Sequence, residues 1–147
     1  MKKFVAILIL GCVAMLAYAG SDANQLFYVS LLPVQTVSAT SVTGTAVDVS
    51  SYKGNAAFVF STGASTVNGY TGVVTVTHCA TSGGTYITVT NLAGTALVVT
   101  KTSTNSAAVN TVACDLARLH KYVKVVAAVA NDTNEVAVAL VAPMKAQ

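Results

Sequence analysis

Few side chains in this sequence can do chemistry. After residue 19 it holds two cysteines, Cys79 and Cys114, two histidines, His78 and His120, and five carboxylates, Asp22, Asp48, Asp115, Asp132 and Glu135. These types could make a zinc site, but His78 and Cys79 are adjacent, and neighbours on a strand point to opposite faces. There is no C-x-x-C pair, so no metal is expected. A serine or cysteine hydrolase needs a nucleophile, a base and an orienting carboxylate. Any serine beside His78 or His120 with Asp115 could be nominated, yet no G-x-S-x-G elbow, G-x-x-x-x-G-K-[ST] loop or G-x-G-x-x-G fingerprint occurs. The carboxylates fall mostly at turns. No catalytic residue, no cofactor and no enzyme activity are expected.

The cysteines suit structural chemistry better. Cys12 lies in the leader, which leaves Cys79 and Cys114 as an even pair, and in an exported protein this suggests a disulfide. It would close a 35-residue separation and contribute about 3–4 kcal/mol. In a reducing compartment the same two would be buried free thiols. Arg118, Lys121 and Lys124, with Tyr122 among them, form the one basic group. Three charges neutralise few phosphates, so specific nucleic-acid binding is not expected. Lys124 and Tyr122 share a strand face, as a solvated edge or a contact to a neighbouring subunit. Asn131-Asp132-Thr133 fits a glycosylation sequon and fits hairpin-turn chemistry better.

The elements that must carry these residues begin with a leader. Met1-Lys2-Lys3 precedes an apolar run, residues 4–19, ending in Ala17-Tyr18-Ala19 and a polar stretch. This is the layout of a secretory signal cleaved after Ala19. A retained helix contacting a membrane or an assembly, and a lipoprotein signal with Cys12 lipidated, are the alternatives. The remaining residues, 20–147, are expected to form a single domain. The chain is 54% hydrophobic and 9% charged, against about 25% charged for an average soluble domain. Beyond the leader six basic residues face five acidic ones, a net +1. A body so close to neutral has little to keep copies apart.

From residue 26 onward Val, Thr, Ala and Ser dominate, and turn signals recur at short spacing, among them Lys53-Gly54-Asn55, Asn68-Gly69, Ser82-Gly83-Gly84 and Asn131-Asp132. The pattern predicts an all-β sandwich of about eight to ten short antiparallel strands, jelly-roll or immunoglobulin-like in connection. Alternation assigns Phe58, Phe60, Val123, Val125, Val138 and Leu140 to the core. Ala137 and Ala139 fall on the other face of the last strand, where small apolar residues suggest cover by another subunit. Tyr52 and Tyr122 are expected as half-buried anchors at an interface that includes Lys124. Asp115 is expected to cap one helical turn.

Three segments carry a family resemblance. They are Thr45-Ala46-Val47-Asp48-Val49-Ser50-Ser51-Tyr52-Lys53-Gly54-Asn55 before the apolar strand Ala56–Phe60; Val74 to Cys79 running into Ser82-Gly83-Gly84-Thr85-Tyr86; and Asp115-Leu116 followed by His120-Lys121-Tyr122-Val123-Lys124-Val125-Val126. In this order, over roughly residues 40–142, they resemble small β-sandwich virion proteins of tailed bacteriophages, of the head decoration, cement or minor capsid type. The resemblance implies a non-catalytic virion subunit that binds copies of itself or a capsid protein. The leader lies outside that pattern. It suits a membrane-containing virion or the rival reading, an exported bacterial surface, adhesion or carbohydrate-binding sandwich.

Overall fold

A computed structural model describes residues 26–91, 93–102 and 107–144. The expected leader, residues 1–19, lies outside them. Ten strands are described: β1 (Leu26–Ser38), β2 (Ser41–Thr43), β3 (Val47–Asp48), β4 (Asn55–Thr62), β5 (Thr71–Cys79), β6 (Ile87–Thr88), β7 (Val98–Thr102), β8 (Ala108–Asp115), β9 (Tyr122–Ala130) and β10 (Thr133–Pro143). The single helical piece among the described residues is one 3-10 turn, Leu116–Arg118. Asp115 starts it by accepting the Ala117 N–H at 2.9 Å.

The strands make two antiparallel sheets. One runs β1-β10-β4-β8; in the other β9 pairs β2, β3 and β5, and β5 also pairs β6 and β7. The pairing is nested, first strand with last (β1–β10), then β2 and β3 with β9, β4 with β8, and β5 with β6 and β7. One long hairpin wrapped into two facing sheets gives this nesting, which is the jelly-roll connection. Turn chemistry places the reversals. Gly69 and Gly54 take φ of +78° and +70°, and Asn131, at φ +63°, turns β9 into β10 where the sequon was noted.

Alternation then builds the core. Phe58 and Phe60 of β4, Val136, Val138 and Leu140 of β10, and Val123, Val125, Ala127 and Val129 of β9 are all at most 3% exposed and meet between the sheets. Tyr52 and Leu119 pack at the margin of this cluster. Residues 26–38 form one strand although a proline falls inside it. Pro33 sits within it where the pairing to β10 slips, between Leu32 and Gln35, so the missing N–H breaks no ladder bond.

The last strand corrects one expectation. On the outer side of the four-stranded sheet Ala137, Ala139 and Val141 of β10, with Val59 of β4, are buried within this chain, Ala139 to 1% exposure. They do not join the inter-sheet cluster. Ala137 and Ala139, expected at a contact with another subunit, are already buried in the single chain.

Candidate functional site

The histidines come together at one end of the sandwich. β5 turns Val74, Val76 and His78 inward and Cys79 outward, as strand alternation requires. His78 is 8% exposed. Its ring stacks on that of His120 at 4.6 Å between centroids, and its Nδ1 accepts the backbone N–H of His120 at 2.9 Å. That bond needs a bare Nδ1. Burial, and then the facing His120 ring, hold the His78 pKa below the ordinary histidine value. The pair ties the loop after the 3-10 turn onto β5.

The expected Cys79–Cys114 disulfide is not formed, and both thiols are free and buried. Cys79 lies on the outer side of its sheet beneath the turn at Gly84, where an added Cβ would come within 2.6 Å of its Sγ. Cys114 belongs to the inter-sheet core from the opposite sheet. Burial, with Asp115 next to it, pushes the Cys114 thiol up to about 12, which makes it a poor nucleophile.

No catalytic constellation assembles among the described residues. The Asp115 carboxylate caps the 3-10 turn. No group of three or more His, Cys, Asp or Glu side chains lies close enough to hold a metal ion. A shallow recess beside the turn is lined by Tyr52, Lys53, Gly54, Leu116 and Ala117, and none of these is an acid or a histidine.

Around Tyr122 and Lys124 the outer face of the six-stranded sheet carries its charges. Lys124 Nζ sits 4.3 Å from the centre of the Tyr86 ring, and Lys121 Nζ lies 5.3 Å from that of Tyr122 and 3.3 Å from Asp48 Oδ2. Hydrogen bonds from Ser50, and after them Lys121, hold the Asp48 carboxyl below the usual range. Each lysine is engaged by a ring or an acid. The rest of this face is Thr71, Val73, Thr75 and Thr77 on β5 and Val126 and Ala128 on β9, all half-buried.

The sheet edges differ more than the faces. β1 carries Pro33 and two pairing slips. β2, β3 and β6 are two or three residues long, and β7 carries Lys101. By contrast β8 pairs with β4 over all eight residues, Ala108 to Asp115, with no irregularity. It contains no proline and no charge before Asp115. Among the described residues nothing pairs with its other side. Such a strand offers a row of free N–H and C=O groups to another chain. Sequence reading placed a strand here without marking its edge position, because edge or centre is a property of topology.

No family model and no curated protein matches this sequence. Solved structures of similar architecture exist. One, described under Bacillus endospore appendages that form a novel family of disulfide-linked pili, is 18% identical with a TM-score of 0.44, and the match covers 82% of this chain and 90% of that one. The SPBc2 prophage-derived protein YomS is 13% identical with a TM-score of 0.48, covering 80% and 93%. The infectious bursal disease virus VP2 subviral particle is 8% identical with a TM-score of 0.43, covering 80% of this chain and 32% of that one.

Proposed function

We propose that this protein is a non-catalytic structural subunit that builds a virion-type assembly by packing against copies of itself, with the β8 edge as its principal contact. The observation that carries this reading is the edge itself: eight residues in unbroken register, uncharged before Asp115 and, among the described residues, unpaired on one side. Natural sheets usually protect such an edge with lysine, proline or a bulge, and β1 carries both a proline and pairing slips. A second subunit adding a strand there would gain main-chain hydrogen bonds along the whole length. The near-neutral body supports the same reading, since it offers little repulsion between copies. Recognition then rests on backbone pairing and on Val109 and Val112, half-buried beside it.

Sedimentation velocity over a range of concentrations tests this. Self-association is expected for the natural chain. Thr111→Lys, a charge placed on an exposed β8 position, is expected to leave a folded monomer. A natural chain that stays monomeric at every concentration would contradict the proposal.

A further inference from the structure

Opposite the histidine end, the core terminates in a polar layer that no assembly role uses. β10 turns Asn134 inward and β4 turns Thr62 inward, one step beyond Val136 and Phe60. From the facing sheet β7 brings Lys101, the register partner of Gly72 on β5. Asn134 is 4% exposed and Lys101 7%. Both side chains use the same acceptor: Lys101 Nζ donates to the Gly63 carbonyl, and Asn134 Nδ2 donates to it at 3.3 Å. An amine and a carboxamide from opposite sheets are therefore held side by side in the interior. Tyr70, 1% exposed, reaches the same layer. Its hydroxyl would lie 2.4 Å from a Cβ on Gly72, so only glycine leaves room for it. Among the described residues that hydroxyl makes no well-formed hydrogen bond, and the Asn134 side chain lies within hydrogen-bonding reach of it.

We propose that Lys101 and Asn134 become joined by an intramolecular amide bond that locks one sheet to the other. The Nζ lone pair attacks Asn134 Cγ, the Nζ–Cγ bond forms and the Cγ–Nδ2 bond breaks. One amine proton passes to Nδ2, which leaves as ammonia. No oxidant, cofactor or other co-reactant enters the balance. The reaction needs a neutral amine, and burial lowers the Lys101 pKa in that direction. It also needs a donor for the oxygen that gains charge, and the Tyr70 hydroxyl beside Asn134 is the group at hand. Its own pKa is raised, chiefly by burial, so it stays protonated to donate. The product is an uncharged secondary amide, which costs less to bury than an ammonium group.

Mass spectrometry of the purified natural chain, followed by peptide mapping under reducing conditions, tests the bond directly. A branched peptide is expected that joins the segments around Lys101 and Asn134 and is lighter than their sum by one ammonia. It should vanish in Lys101→Arg and in Asn134→Ala, and form in smaller yield in Tyr70→Phe. Separate Lys101 and Asn134 peptides at full mass, from folded protein, would overturn the proposal. So would an ammonia loss that maps to Asn68-Gly69, since an Asn-Gly pair can lose ammonia by closing on its own backbone. The bond and the assembly are independent: a linked monomer would refute the reading of β8 alone, and an unlinked oligomer would refute the linkage alone.

Discussion

The two sheets share one core but differ everywhere else. The four-stranded sheet buries both faces at β10 and β4, and it ends in β8, whose outer edge no described residue pairs. The six-stranded sheet keeps a half-exposed face of threonine, valine and two ring-bound lysines, and apart from β7 its edge strands are two or three residues long. The first sheet is closed over its two central strands and, among the described residues, unpaired along β8; the second has a half-exposed face and short edges. A face rich in threonine and crossed by lysine side chains stays hydrated, whereas an edge of unpaired amides and carbonyls gains when another strand supplies partners. Under the proposed function, contact falls at the edge of one sheet and solvent exposure at the face of the other.

Substitutions can break this contrast, the most severe first. Phe58→Ala and Leu140→Ala empty positions that are 0% exposed and should each cost about 2–5 kcal/mol in chemical denaturation, whereas Thr75→Ala on the half-exposed face should cost about 0.5 kcal/mol or less. Next is the outer side of β10. Ala139→Leu should lose about 1–3 kcal/mol by overpacking a site that is 1% exposed, while Ala128→Leu on the other sheet should be nearly neutral. Equal costs for the two would mean that both outer faces are alike.

A smaller effect comes from pH. The folded His78 pKa lies below 6.5, so below about that pH the unfolded chain takes up a proton that the folded chain refuses. Stability is therefore complete above pH ~6.5 and falls as the pH drops, by at most about 1.4 kcal/mol per unit. Denaturation midpoints measured between pH 7 and 5 should show this fall, and His78→Gln should flatten it. Smallest of all, Asp48→Asn removes an exposed ion pair to Lys121 and should leave the melting temperature unchanged within error.

Much of the fold was legible because alternation is a local property. Val123, Val125, Val138 and Leu140 can be placed on one face of their strands from spacing alone, and turn pairs such as Asn68-Gly69 mark reversals without reference to the rest of the chain. What was hidden depends on pairing. Jelly-roll and immunoglobulin connections use the same strands, and only the β1–β10 and β4–β8 partnerships separate them. Pro33 gives no local sign of the bulge that accommodates it, because the slip in pairing to β10 is not written in its neighbours. Ala137 and Ala139 read as a contact face because composition does not reveal whether a small side chain is already enclosed. The Lys101–Asn134 layer gave no sequence signal at all. A lysine and an asparagine 33 residues apart meet only because two sheets fold face to face.

Amide hydrogen exchange, followed strand by strand at low and high protein concentration, tests the role of β8 most directly. If copies join through that edge, the outward amides of Ala108–Asp115 should exchange more slowly as concentration rises, with those of β1 and the outer face of the six-stranded sheet unchanged. Exchange in β8 that is indifferent to concentration, or protection that grows instead over the threonine face around Thr75, would contradict the account.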